Sequence, residues 1–349
     1  MCVLLAFNSA IRMQKAHFLD LIHFLKSYFT NLSNKEKIEL FIEKAKNENA
    51  WFTDSLIRHA MKSIENQFFD RSTWEQFFSE QGYPSRNTKI VGLVLAGNLP
   101  AVGLHDVLMT LASGHEAWVK PSSQDKALIE LYIQVLQEFD TRIPIQIVDR
   151  LQGIQAVIAT GSDFSGGYFA HYFAQMPHII RKNRSSLAIL TGQETNADFT
   201  QLARDIFTYY GLGCRNVSSL AVPVDYDLTP LFDVLTKETW VLDHSKYSNN
   251  FQYHRTLFLL NQIPHFDLGN VLVTENDALV SPVGVLYIHR YANQIDLEAW
   301  LATHEEKIQC KVSQSNHLQG TIAFGMTQEP GLADFADGVN TYAFLTNLS

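Results

Sequence analysis

Cysteine is scarce, with three in 349 residues, at Cys2, Cys214 and Cys310. Their wide separation offers neither a disulfide framework nor the spacing of a zinc site, and it points to a reducing, cytoplasmic compartment. Positive charge is in deficit as well. A formal net charge of −9 leaves no surplus positive field for a nucleic-acid backbone, although local cations could still hold an anionic small molecule. No run approaches the ~18 consecutive apolar residues of a membrane span. The apolar opening Met1–Phe7 lacks the basic flank and cleavage site of a signal peptide, so a frayed N-terminus or a start at Met13 is expected. There is no GxGxxG fingerprint, no internal repeat, no low-complexity segment and no long linker.

What is present reads as a well-packed globular chain, 46% hydrophobic and 18% charged, long enough for two lobes. The first eighty-odd residues have helical periodicity. Ser33-Asn34-Lys35-Glu36 and Ser72-Thr73-Trp74-Glu75 both have the capping-box pattern, and Gly82-Tyr83-Pro84-Ser85 ends the helical run. From residue 90, short apolar runs alternate with helical stretches. The strands are expected at 90–96, 118–120, 145–148 and 156–159, with helices at 101–113 and 127–139 between them. A second series runs from Ser186 to about residue 310, with strands at 187–190, 220–224, 271–274 and 283–288 and a helix over 198–210. Such alternation with short connections predicts parallel sheets of doubly wound type. The expected division is a helical N-terminal segment (1–85), a nucleotide-binding α/β domain (86–190), a catalytic α/β domain (191–310) and a C-terminal return or oligomerisation segment (311–349).

Four local patterns could carry chemistry. In Tyr209-Tyr210-Gly211-Leu212-Gly213-Cys214-Arg215-Asn216 a lone thiol lies in a glycine-flanked bend between a helix and an apolar strand. Small neighbours would let a substrate approach both the sulfur and the adjacent backbone N–H. Gly97-Asn98-Leu99-Pro100 closes a strand where an open α/β sheet places ligand-binding groups, and the Asn98 amide can donate to a carbonyl oxygen; the same residues also suit an ordinary turn. Lys120, at a strand end in Ala117-Trp118-Val119-Lys120-Pro121-Ser122, suits a ribose or phosphate, or equally a solvated edge. Thr160-Gly161-Ser162, followed by Gly166-Gly167, could receive a pyrophosphate at a helix N-terminus. The histidines are scattered, His105, His171, His178 and His254 among them, without metal-ligand spacing. Arg181-Lys182-Asn183-Arg184 reads as a solvated charge run or as a phosphate contact.

Together these patterns, in order and spacing from about residue 70 onward, resemble the aldehyde dehydrogenase superfamily. The similarity is closest to its acyl-CoA reductase branch, known from bacterial bioluminescence. Ser281-Pro282-Val283-Gly284-Val285-Leu286-Tyr287 and Phe335-Ala336-Asp337-Gly338-Val339-Asn340-Thr341 also look familial. The resemblance implies an aldehyde-dehydrogenase-like α/β fold of two doubly wound lobes, with a helical N-terminal segment and an active site between the lobes. It implies Cys214 as nucleophile and Asn98 with the Cys214 N–H as oxyanion donors, and Lys120, Ser122, Gly161, Ser162 and Glu275 as cofactor contacts. Two departures stand out. The stretch Ile179–Leu187 holds no acid where aldehyde-oxidising members keep a water-activating glutamate, and Glu275 and Asp277 are out of register with the ribose glutamate. The expectation is NADPH-dependent reduction, NADPH rather than NADH, of a long-chain acyl-CoA or other acyl thioester to aldehyde by a homo-oligomer without a metal. A cysteine-dependent acyl hydrolase or acyltransferase, and a catalytically silent nucleotide-binding relative, are the alternatives.

Overall fold

The computed structural model describes residues 13–84, 87–161, 163–314, 318 and 320–348. It divides the chain into two compact units, one formed by the chain up to Lys182 together with the segment from Gly331, the other by Asn183–Pro330.

In the first unit, five strands form a wholly parallel sheet: β1 (Ile90–Val94), β2 (Glu116–Lys120), β3 (Ile145–Ile147), β4 (Ala156–Thr160) and β5 (His178–Arg181), in the spatial order β3-β2-β1-β4-β5. Successive side chains on a strand face opposite ways, and both faces are covered here. Val91, Leu93 and Ile158 join one large core, while Val157 and Ala159 join a second with Phe173. The first core is supplied by the N-terminal helices α1 (Lys15–Thr30), α2 (Lys35–Glu48), α3 (Asp54–Phe68) and α4 (Arg71–Gln81), and by α5 (Leu104–Ala112) and α6 (Lys126–Phe139). The second is supplied by α7 (Asp163–Tyr172) and the turn after it. The helical segment is thus part of the sheet's own core, continuous with it rather than a separate domain.

The two expected capping boxes do not form. At α2 a 3-10 turn intervenes and Asn31 caps that turn, its side chain accepting from the Ser33 N–H. At α4 the cap is Asp70, which accepts from the Thr73 N–H. A carboxylate two residues upstream starts the helix a turn-fraction earlier than the serine would.

The second unit holds β6 (Ser185–Ile189), β7 (Val217–Pro223), β8 (Phe266–Asp267), β9 (Leu272–Glu275), β10 (Val285–Tyr291), β11 (Ile308–Val312) and β12 (Thr321–Ile322), in the order β12-β11-β6-β7-β10-β9-β8. Every pair is parallel except β8 with β9. Helices α8 (Asn196–Phe207), α9 (Thr229–Leu235), α10 (Ser245–Leu260) and α11 (Gln294–His304) lie between the strands in sequence. A reciprocal capping box does occur here, between Thr195 and Asp198 at the start of α8. The division between units falls at Asn183 rather than at residue 190, because β6 pairs with β7 and β11 in the second sheet. Residues up to Pro330 stay with the second unit, and only the chain from Gly331, with the helix Thr341–Thr346, returns to the first. No helix among the described residues is long and apolar enough to cross a membrane.

Candidate functional site

Strand order reverses between β1 and β4, since the chain moves outward through β2 and β3 and then resumes on the other side with β4 and β5. Crevices at such reversals, at the carboxyl ends of the strands, are where open α/β sheets bind ligands. A cleft of about 390 Å³ opens there, lined by Val94 from β1, Lys120 from β2, Asp149–Gln152 after β3, and Tyr168, Phe169, Tyr172 and Phe173 from and just after α7. Lys120 is exposed on its wall. Gly161 follows β4, its N–H donating to the Arg181 carbonyl at 3.2 Å. Ser162 lies outside the described residues. The Ser122 Oγ accepts from the Gln124 N–H at 3.2 Å.

The Ser122 side chain also explains Gly97. A Cβ on Gly97 would stand 2.6 Å from the Ser122 Cβ, so glycine is required for the loops after β1 and β2 to meet. Asn98 is exposed on this turn. Behind it the turn is tied at both ends. Asn49 donates to the Gly97 carbonyl at 3.1 Å, and Asp125 accepts from the Ala101 N–H at 2.8 Å. Ala101 has φ 53°, a left-handed conformation that costs energy in a residue with a Cβ, and the Asp125 bond holds it there. Asp125 is wholly buried, and its Oδ1 has no hydrogen-bond partner among the described residues. Burial pushes its carboxyl well above the ordinary carboxylate range, the Ala101 N–H opposes this, and Glu48 adds to it.

Cys214 belongs to the second unit. It is half-buried, in the bend between α8 and β7, and is not in a disulfide. Three consecutive residues before the bend are left-handed: Tyr209 (φ 55°), Tyr210 (φ 57°) and Gly211 (φ 76°). Only the glycine adopts this freely. The two tyrosines are held by burial, and the Tyr210 ring packs 4.4 Å from His244, 5.5 Å from Trp240 and 6.0 Å from Tyr247. Asn216 closes the bend. Its Oδ1 accepts from the Gly213 N–H at 2.8 Å, and its Nδ2 donates to the carbonyls of Asp205 (3.0 Å), Ile206 (3.3 Å) and Thr208 (2.6 Å). One side chain thereby satisfies the carboxyl end of α8 and fixes the residue before the cysteine. The Ser186 hydroxyl donates to the Cys214 carbonyl at 3.0 Å and accepts from the Cys310 N–H at 3.1 Å, tying the bend to β6 and β11.

Other expected groups are placed differently. Glu275 is on β9 in the second unit, and its carboxylate accepts from Arg290 Nε at 2.6 Å. Lys120 and Gly161 are in the first unit. Arg181 is neither solvated nor a phosphate contact. It is 5% exposed and donates to both Asp106 oxygens, at 2.5 and 3.0 Å, and to Thr341 Oγ1 at 2.8 Å. Alternation along β5 turns residue 181 inward, which a run of four polar residues conceals. His105 packs between Phe68 and Phe335 and bonds the Leu332 carbonyl. No cluster of three or more metal-ligating side chains occurs among the described residues. Sequence reasoning missed Asn216, Asp125 and the aromatic wall of α7. For Asp149-Arg150 a signal existed, since a charged pair directly follows an apolar strand.

No protein-family model matches the chain, and no curated protein matches it in sequence. Solved structures do. An aldehyde dehydrogenase of Mycobacterium tuberculosis complexed with NAD+ aligns with a TM-score of 0.65 at 12% identity, over 91% of this chain and 79% of that one. The NAD+ complex of an aldehyde dehydrogenase from Bacillus cereus aligns at 0.64 and 13% identity, over 90% and 75%. Aldehyde dehydrogenase C from Pseudomonas syringae, a variant complexed with NAD+ and octanal, aligns at 0.58 and 13%, over 87% and 73%. The chain has the aldehyde dehydrogenase fold. At these identities the likeness is one of architecture. The first unit's cleft has a volume in the range of ligand pockets, with two cations and an aromatic wall.

Proposed function

We propose that this protein is an oxidoreductase acting at an acyl or aldehyde carbon, and more narrowly an NADPH-dependent reductase of long-chain acyl-CoA. The observation that carries the reading is Cys214 itself, a half-buried thiol fixed by Asn216 and Ser186 in the bend before β7. The nucleotide-type cleft at the sheet reversal and the NAD+ complexes among the neighbours support a nicotinamide partner. The octanal complex supports an aliphatic aldehyde.

In this reading the Cys214 thiolate attacks the thioester carbonyl, the bond to the CoA sulfur breaks, and CoA leaves as a thiol after taking a proton. The acyl group is then held on Cys214. The Asn98 amide and the Cys214 N–H stabilise the oxyanion, a donor of this kind contributing about 3 kcal/mol. NADPH, when bound, supplies the hydride that reduces the acyl carbon. Lys120 and the turn at Gly161 hold the nucleotide, with Ser162, Ser122 and Glu275 as further candidate contacts. Cleavage of the carbon–sulfur bond releases aldehyde and restores the thiolate. The absence of an acid in Ile179–Leu187 fits this direction, because no side chain there activates water against the acyl-enzyme. Assembly as a homo-oligomer is part of the same proposal.

The test is to mix the protein with a long-chain acyl-CoA and NADPH and to follow aldehyde, free CoA and cofactor oxidation, with Cys214→Ser as control. Aldehyde formed in step with NADPH loss, and abolished by the substitution, is the expected result. CoA release without NADPH loss would instead indicate a hydrolase or acyltransferase. Indifference to Cys214→Ser would indicate a binding protein.

A further inference from the structure

We propose that Cys310 is a resolving thiol for Cys214, and that peroxide joins the two in a reversible disulfide that shields Cys214 from irreversible oxidation. The residues are remote in sequence, yet one hydroxyl ties their backbones together. Ser186 Oγ donates to the Cys214 carbonyl at 3.0 Å and accepts from the Cys310 N–H at 3.1 Å. Strand pairing produces this arrangement. β6 runs between β7 and β11, and Ser186 is in register with Val217 at the start of β7. On the other side the register shifts between Ile308 and Lys311, the stretch that holds Cys310. Side-chain alternation then places the thiol. Lys311 is in register with Leu187, whose side chain joins the core that α11 supplies with Leu297 and Trp300. Cys310 precedes Lys311 and so turns to the opposite face, that of Ser186. Both cysteines are half-buried, each with a side open to solvent, and neither is in a disulfide.

A disulfide joins Cα atoms about 4.4–6.8 Å apart. Two backbones bonded to one oxygen approach that range, and the glycine-flanked bend at Cys214 allows the remaining adjustment. Cations accompany both residues. Arg215 follows Cys214, and Arg184 donates to the Ile308 carbonyl, two residues before Cys310, at 3.0 Å. Positive neighbours favour the thiolate, the form that reacts with peroxide. The Cys214 thiolate attacks one oxygen of hydrogen peroxide. The O–O bond breaks, the sulfur is oxidised to sulfenic acid, and hydroxide leaves and takes a proton to become water. The Cys310 thiolate then attacks that sulfur. The S–S bond forms, the S–O bond breaks, and the departing hydroxide takes a proton to become a second water. Two thiols and one peroxide thus give one disulfide and two waters. A dithiol reductant reverses the step by exchange. Without Cys310 the sulfenic acid would proceed to sulfinic acid, which thiols do not reduce. The pair requires no acyl substrate, so it goes beyond the reductase reading.

Peptide mapping of the oxidised protein tests this. The full chain is treated with hydrogen peroxide, its remaining thiols are alkylated, and tryptic peptides are identified by mass spectrometry without reductant. Cleavage puts Cys214 in Asp205–Arg215, Cys310 in Ile308–Lys311 and Cys2 in Met1–Arg12, one cysteine in each. The expected result is the first two peptides joined within one chain, with both thiols recovered by dithiothreitol. Cys310→Ser should lose that recovery and leave sulfinic acid on Cys214. Should that variant fold poorly, the map of the unaltered protein decides alone. Cys2→Ser should change neither result. Sulfinic acid on Cys214 of the unaltered protein in place of the disulfide, a link to Cys2 or between chains, or no reaction at all would overturn the inference. Acylation of the reduced protein by acyl-CoA is scored separately. A disulfide without acylation leaves the pair standing and removes the reductase, and acylation without a disulfide does the reverse.

Discussion

Asn216 illustrates how one side chain can set the geometry of a reactive neighbour without touching a substrate. Its four hydrogen bonds join the end of α8 to the backbone before Cys214, in a bend whose preceding tyrosines are left-handed. Asn216→Ala leaves the Gly213 N–H and the helix-end carbonyls without that partner. Unfolding in urea should show a loss of about 1–3 kcal/mol, the penalty of an unsatisfied buried group. Single-turnover acylation of Cys214 should fall by about tenfold or more, because a small misplacement of a nucleophile is costly. A variant that is less stable but acylates at the normal rate would reduce Asn216 to a purely structural role. The importance of this residue could not be read from sequence. An asparagine two places after a cysteine looks like turn chemistry, and nothing in Tyr209-Tyr210 announces a left-handed pair: both are held by burial, and the Tyr210 ring packs against Trp240, His244 and Tyr247.

Among the elements, the turn between β1 and α5 carries Asn98, and Asp125 holds it from behind. The fold raises the Asp125 carboxyl above its ordinary 3.8, so the native state binds this proton more tightly than the unfolded chain does. The stability this provides is complete below the unfolded value and is lost as pH rises through the native one. Asp125→Asn keeps an oxygen for the Ala101 N–H and cannot ionise. It should therefore melt above the unaltered protein at pH 8 and by a smaller margin at pH 5, as measured by calorimetry. A margin that is constant with pH would show that Asp125 does not titrate in this way. The elements themselves were largely legible. The apolar runs that became β1, β4, β6 and β7 are buried on both faces, and continuous hydrophobicity is what such strands require. Their ends were less so. The helix expected from residue 101 begins at Leu104 because Ala101 is left-handed, and the helix expected to reach Tyr210 stops at Phe207 for the same reason. Arg181 was misread because its partners, Asp106 and Thr341, lie 75 and 160 residues away.

For the whole molecule, the first unit depends on a segment remote in sequence. Leu332, Tyr342, Leu345 and Leu348 are buried in its core, the Tyr342 hydroxyl donates to the Gly82 carbonyl, and His115 bonds the Leu345 carbonyl. Each large apolar side chain buried contributes about 1.5–3 kcal/mol, so the segment supplies a large part of a typical stability. Deleting Gly331–Ser349 should abolish the first unit's cooperative melt. An unchanged calorimetric transition would show the segment to be dispensable. The doubly wound architecture was readable from the alternation of apolar and helical stretches. Of the interleaving of the two units, a C-terminal return was one of the two alternatives expected for residues 311–349, but the segment that joins the first unit begins at Gly331, a bound that no periodicity marks.

That interleaving has a consequence during biosynthesis. A ribosome finishes Asn183–Pro330 before it has made Tyr342 and Leu345, so the later-encoded unit can complete its core while the earlier one still waits, open on one side. For that interval the core beside the finished sheet presents greasy surface to the cell, and a chaperone that shields nascent chains would find its client there rather than around the cysteine.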